Sequence, residues 1–187
     1  MDILWAPWRM TYIAGDTGEK RDGAPATTGP ADPPSTGAQG GRVGCIFCDK
    51  VAEGPAADAR NLILWRGTHT FALLNLYPYN SGHLMIVPYR HLASVLDLTP
   101  AENGELMAAL QLMIGVLGAV YRPEGYNVGM NLGRVAGAGI ADHVHLHVVP
   151  RWNGDTNFMP VLGQTKVLPE ALETTWARLT AALITYP

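Results

Sequence analysis

Along residues 143–150 the chain alternates with a period of two: His143-Val144-His145-Leu146-His147-Val148-Val149-Pro150. That period predicts a strand with imidazoles on one face and aliphatic side chains on the other. Four earlier segments also read as strands. Leu62-Ile63-Leu64-Trp65 and Thr70-Phe71-Ala72-Leu73-Leu74-Asn75 form a pair joined at Arg66-Gly67-Thr68. His83-Leu84-Met85-Ile86-Val87-Pro88 is a third, closed by its proline, and Tyr126 to Gly133 alternates as a fourth. Between them Tyr77-Pro78-Tyr79-Asn80-Ser81-Gly82 and Ala136-Gly137-Ala138-Gly139 carry turn chemistry. Thr99-Pro100-Ala101-Glu102 supplies an N-cap, a proline at the first helical position and an acidic first turn. The helix it opens is predicted to run to about Tyr121 and to stop before Pro123, with Leu106, Leu110, Met113, Leu117 and Val120 inward. A second helix is predicted from near Pro169-Glu170, turning Leu172, Trp176, Leu179 and Leu183 inward. Strands mixed with two helices make this an α+β domain.

The 187 residues suit one domain, and 48% apolar with 16% charged residues predict a packed soluble globule. The formal net charge of -3 argues against a grip on long nucleic acid, which needs a basic face. Residues 14–44 are rich in Gly, Pro, Ala, Thr and Asp with hardly a large apolar side chain, so they are expected to form a mobile loop. The preceding Leu4 to Ile13 is dense in aromatics and is expected to dock on the domain or on a partner chain. The first residues lack a basic region and apolar run of secretory type, and no apolar stretch approaches the roughly 20 residues that span a bilayer. The stretch nearest to it, Leu106 to Val120, is interrupted by Gln111. A cytoplasmic protein without membrane partners is therefore expected.

Three of the six histidines fall on one face of the last strand, next to the glycine-rich Gly133-Arg134-Val135-Ala136-Gly137-Ala138-Gly139-Ile140. A single exposed histidine would be a chance polar position, but three in register beside such a loop are not. Imidazole, with an ordinary pKa near 6.5, offers a neutral nucleophilic nitrogen at physiological pH. Backbone N–H groups of a glycine-rich loop can hold phosphate oxygens. Cys45-Ile46-Phe47-Cys48 has the spacing that lets two thiolates turn onto one tetrahedral zinc. A redox pair or two core thiols are the alternatives, and no thioredoxin-like pattern accompanies the cysteines.

His143 to Pro150 resembles the histidine-triad signature, His-φ-His-φ-His-φ-φ with φ apolar. Asn75, the Pro78–His83 loop and Asn131 to Gly137 resemble the matching family segments, so that the resemblance spans roughly Cys45 to Arg151. It implies an antiparallel sheet of about five strands with flanking helices, in a homodimer that joins two sheets into one. It further implies that His145 attacks the α-phosphorus of a nucleotide and that His147 contacts the phosphate and assists the leaving group. Asn75 would bind the ribose, His83 would lie close to the nucleotide, and Asn131 with the amides of Gly137, Ala138 and Gly139 would hold the phosphate. The Cys-x2-Cys pair with His91 and His143 would make a closed structural zinc site; no organic cofactor is implied. One departure stands out: many members carry Ala-Gly-Gln-Ser before the triad, where this chain has Ala136-Gly137-Ala138-Gly139 and no glutamine.

The segments Leu4 to Met10, Pro150 to Pro160 and Thr165 to Glu170 resemble a bacterial branch that includes diadenosine tetraphosphate phosphorylases. That resemblance implies cleavage of a dinucleoside polyphosphate with inorganic phosphate as second acceptor, giving ADP and ATP. Hydrolysis of dinucleoside polyphosphates or adenosine phosphoramidates, and nucleotide binding with weak catalysis, are the competing expectations. A second anion site would draw on Lys166, Arg134, Arg151 or the Gly139 loop, although Arg151 and Lys166 equally suit a solvated surface. Trp152 would stack on the second base or seal the core.

Overall fold

A computed structural model describes residues 44–155, 162–163 and 167–186. The chain divides into units 1–39 and 40–187, and all described residues belong to the second. The aromatic segment 4–13, the expected loop up to residue 43, and residues 156–161 and 164–166, Lys166 among them, lie outside the described residues.

Five strands form one antiparallel sheet: β1 Ile63–Arg66, β2 Thr70–Leu74, β3 Leu84–Pro88, β4 Gly125–Gly129 and β5 Leu146–Arg151, in the order β1-β2-β3-β5-β4. The described helices are α1 Ile46–Ala52, α2 Asp58–Asn61, α3 Pro100–Tyr121 and α4 Leu172–Thr185. The sheet is two-sided. Leu64, Ala72, Leu74, Leu84, Ile86, Val144, Leu146 and Val148 join one core with α3 and α4, including Leu106, Leu110, Met113, Leu117 and Leu179. On the opposite face Ile63, Phe71, Leu73, Met85 and Val87 pack with Cys45, Phe47 and Cys48 of the α1 segment. Alternation along each strand sorts the side chains between these layers.

Two predicted strands are shorter than the alternation implied. β4 ends at Gly129, opposite His147, because β5 starts only one residue earlier and leaves Met130 to Gly133 without a partner. His143 and His145 precede the ladder of β5 instead of sitting within it. The alternation of faces nevertheless persists there: Val144 is in the α3 core while the His143 and His145 rings lie 5.3 and 5.1 Å from Phe47 on the other side. α3 matches its expected bounds, and Thr99 and Glu102 form a reciprocal capping box. Val120 is only partly buried, and Ala109 and Val116 complete the inward face. At 22 residues, with a mean hydropathy of 1.5 over 18 of them, α3 is long and apolar enough by composition to cross a membrane, contrary to the expectation that no apolar stretch approaches that length. Its buried Leu106, Met113 and Leu117 belong to the sheet core, and its buried Glu102 pairs with Arg90 at 2.6 Å. α4 starts at Leu172, two residues later than the upper limit of its expected start, since Glu170 turns back to bond Tyr121, Thr175 and Arg178.

Two local features place the chemistry. Gly82 has φ +77°, a backbone that L side chains rarely adopt, and a Cβ there would meet Leu117 Cδ2 at 3.0 Å. It lets the chain turn sharply from the 75–82 loop into buried His83. The Val144 N–H donates to the Leu92 carbonyl at 2.7 Å, which draws the His91 and His143 segments together.

Candidate active site and metal cluster

Cys45 is the N-cap of α1 and Cys48 lies in its first turn, so both thiols leave the same helix end. His91 arrives from the segment after β3 and His143 from the run into β5. Ligand atoms of all four lie within 4.8 Å of one another. A tetrahedral ion with bonds of about 2.0–2.3 Å sets its ligands roughly 3.3–3.8 Å apart. The distances agree: Cys45 Sγ to His143 Nδ1 is 3.3 Å, Cys48 Sγ to His91 Nδ1 is 3.5 Å, and Cys48 Sγ to His143 Nδ1 is 3.7 Å. His143 Nε2 lies 2.9 Å from the Pro88 carbonyl. A carbonyl only accepts, so Nε2 carries the proton and Nδ1 turns its lone pair to the thiols, the orientation a metal ligand needs. These residues can hold a metal ion.

The same reasoning fixes the neighbouring imidazoles. His145 Nδ1 lies 2.8 Å from the backbone carbonyl of His143 and must donate to it. In the neutral ring Nε2 of His145 is therefore the lone-pair nitrogen, and His145 lines a cavity. His83 Nδ1 accepts from the Tyr79 N–H at 3.0 Å, so its proton sits on Nε2 and is donated to His147 Nδ1, 3.0 Å away. His147 in turn carries its proton on Nε2. Asn75 Nδ2 stands 3.5 Å from His83 Nε2, too far to compete with that bond. The chain Tyr79, His83, His147 thus fixes the His147 ring as a donor beside His145, whose ring is 4.8 Å away. Burial, reinforced by the facing His147 and His145, lowers His83 to about 3. Burial and His145 lower His147 to about 4. Both stay neutral at physiological pH, as the tautomer chain requires.

The cavity holds about 450 Å³, within the usual range for a small-molecule site. His145, His147, Asn131, Gly137 and Gly139 line one part of it, and Ile46, Phe47, Leu73 and Met85 give it apolar walls. Asn75 lines it too, its Oδ1 accepting from the Tyr77 N–H at 2.9 Å. Within the glycine loop the Gly137 and Ala138 amides are already used, on Arg134 and Gly133 carbonyls at 2.9 and 3.3 Å. The Gly139 N–H makes no hydrogen bond among the described residues, and Asn131 Nδ2 holds the loop by bonding the Gly137 carbonyl at 3.3 Å.

A second cavity of about 440 Å³ shares Tyr79, Asn131 and His147 with the first and extends over β4 and β5 to Asn127 and Arg151. Arg151 is paired with Asp155 at 2.5 Å and bonds Asn127 Oδ1 at 2.7 Å. Trp152 is among the lining residues of neither cavity; its backbone N–H donates to Asp155 Oδ2 at 3.2 Å. Arg134 is exposed on the 3-10 turn Arg134–Ala136. Sequence reasoning missed Tyr79, whose ring stacks on His83 at 4.8 Å, and Phe47, which backs His145. Both were visible as aromatics beside singled-out residues, but their rings meet the histidines only through the fold.

The HIT domain family matches residues 57–154. A protein named AP-4-A phosphorylase from Mycobacterium tuberculosis is 44% identical over 94% of this chain and 84% of its own length. An adenosine 5'-monophosphoramidase of Schizosaccharomyces pombe is 31% identical over 58% of this chain and 75% of its own. Among solved structures, a Zn-bound histidine triad family protein from Mycobacterium smegmatis aligns with a TM-score of 0.61 and 25% identity, covering 78% of this chain and 96% of that one.

Proposed function

The chain belongs to the HIT domain family, and from that membership we propose that it is an enzyme that cleaves a dinucleoside polyphosphate, with diadenosine tetraphosphate as substrate and inorganic phosphate as second acceptor. The observation that carries the reading is the His145 ring, its Nδ1–H spent on the His143 carbonyl, in the wall of a nucleoside-sized cavity. The 44% identity to the mycobacterial phosphorylase supports the substrate class.

His145 Nε2 attacks the α-phosphorus, a nitrogen–phosphorus bond forms as the bond to the bridging oxygen breaks, and ATP departs. His147, with its proton on Nε2, donates a hydrogen bond to the departing phosphate oxygen. Asn75 binds the ribose and His83 acts through His147. Asn131 and the Gly139 N–H hold the equatorial oxygens, with Gly137 and Ala138 shaping the loop that presents that amide. Inorganic phosphate then attacks the nucleotidyl-His145, releasing ADP and restoring the imidazole. Four ligands of Cys2His2 type fit a structural zinc, and Cys45, Cys48, His91 and His143 would hold it. With four protein ligands, an ion there would serve to hold His143, whose carbonyl accepts from His145 Nδ1. The outer edge of β4, unpaired by any described strand and with Val128 exposed, supports a homodimer that continues the sheet across two copies.

The test is a product assay with diadenosine tetraphosphate, with and without millimolar phosphate. ADP and ATP formed only with phosphate, and lost in His145→Ala, is the expected result. AMP and ATP regardless of phosphate would convert the assignment to hydrolysis. No turnover by the unaltered protein would overturn the dinucleotide reading.

A further inference from the structure

One charged side chain in the described lining of the first cavity has no part in the chemistry above. Lys50 sits on α1, three residues beyond Phe47, the ring that backs His145. Three residues of helix carry it about 4.5 Å further along the axis. Its position in the cavity is fixed by a double strap. The Nζ donates to the Asn61 carbonyl and Asn61 Nδ2 donates back to the Lys50 carbonyl, each at 3.2 Å. An ammonium has three N–H bonds, and only the one to Asn61 is used among the described residues. Its surroundings in the cavity are aliphatic and aromatic, apart from the polar groups near His145 and Asn75. A cation placed there costs desolvation that an aliphatic residue would avoid, and burial does lower its pKa, against a smaller raising by Glu53. The placement makes sense if a ligand acceptor completes the set of hydrogen bonds.

We propose that Lys50 is a specificity-determining residue that reads a ring-nitrogen or carbonyl acceptor on the edge of the bound base. The inference rests on the cavity being the nucleoside pocket. With the phosphates at His145 and Gly139, the base lies at the far, apolar end, where its face meets the walls and its edge meets Nζ. Apolar walls accept any base; a single directed donor discriminates, because only a base with an acceptor at that point gains a second bond from the ammonium beside the one to Asn61.

Equilibrium binding tests this without turnover. The full-length, metal-loaded protein is titrated with AMP and with deaza analogues of AMP, each with one purine ring nitrogen replaced by C–H. The same titrations follow for Lys50→Met and Lys50→Arg. A hydrogen bond from a charged donor predicts that one analogue binds the unaltered protein roughly tenfold more weakly than AMP. Lys50→Met is expected to bind that analogue and AMP alike, while Lys50→Arg keeps the preference. Analogues that all bind the unaltered protein within about twofold of AMP would overturn the proposal, as would a Lys50→Met variant that keeps the preference. If Lys50→Met does not fold, the unaltered protein's ranking alone decides. Absence of any AMP binding would overturn the nucleoside pocket itself, whereas binding without discrimination overturns only the role of Lys50.

Discussion

At the scale of single residues, the site is a matter of where four protons sit. Backbone groups settle three of them: the Pro88 carbonyl for His143, the His143 carbonyl for His145 and the Tyr79 N–H for His83. His147 receives its orientation second-hand from His83. Replacing His83 by Phe keeps the bulk and removes the donor, so the His147 ring is free to take the wrong tautomer. Steady-state kinetics are expected to show kcat falling roughly tenfold to a hundredfold with KM little changed. The same two rings, His83 buried and His147 partly so, set an acid limit on stability. Their folded pKa values of about 3 and about 4 lie below the ordinary 6.5, so between those limits the unfolded chain binds protons that the folded chain refuses. Stability is therefore expected to be unaffected by them above pH ~6.5 and to fall as the pH drops from there toward ~3. Denaturation midpoints measured across that window should decline, and less steeply in His83→Phe.

Elements act by delivering these residues. The end of α1 presents both thiols, the segment after β3 presents His91, and the run into β5 presents His143. Arg90, next to His91, is tied to Glu102 at the start of α3, which keeps the Glu102 carboxyl down to about 2 through that pairing. Removing the metal with a strong chelator is expected to lower the melting temperature and to raise hydrogen exchange at residues 143–145, with Cys45→Ser reproducing both. Metal analysis should find one zinc per chain, and a full complement of activity after complete removal would exclude the structural role. The β1–β2 hairpin has its own clasp. Glu105 of α3 accepts from the backbone N–H groups of Thr68, His69 and Thr70 and from the Thr70 hydroxyl, at 2.7 to 3.1 Å. Losing it strands several donors, and Glu105→Ala is expected to cost about 2–3 kcal/mol in chemical denaturation. Thr99→Ala, which removes only a helix cap, should cost ~1 kcal/mol.

For the whole molecule, the sheet order leaves β4 on one edge, with Val128 43% exposed and its outer backbone groups unpaired by any described strand. An exposed edge of this kind needs a cover or a partner. Sedimentation is expected to give twice the mass of the chain, and Val128→Pro, which removes an edge donor, to give the monomer. A monomer at all concentrations for the unaltered protein would place the edge in solvent. The two cavities share Tyr79, Asn131 and His147 in their walls, with His145 on the side of the apolar pocket and Arg151 on the other. Such a shape suits a substrate with a group on each side of the scissile bond.

Much of this was legible in the sequence because it depends on period and local chemistry. The alternation through residues 143–150 is enough to put the triad opposite Val144 and Leu146, whatever the strand pairs with. The Thr99–Glu102 cap and Pro123 bound α3 by local rules, and the Cys-x2-Cys spacing marks half of a cluster that can hold a metal ion. The lengths of β4 and β5 were not legible, since a strand ends where its neighbour ends and pairing is a tertiary fact. Availability of the loop amides was hidden for a related reason: the turn consumes those of Gly137 and Ala138, and composition does not say which N–H bonds a turn uses. Nor does sequence spacing place Lys50, Phe47 or Tyr79 around the cavity, since each is brought there by a different element. The sequence by itself determined which residue types could carry the chemistry and on which face they fall. Only the folded chain decided their tautomers, their neighbours and the walls of the pocket, because those depend on groups far apart along the chain meeting within hydrogen-bond distance.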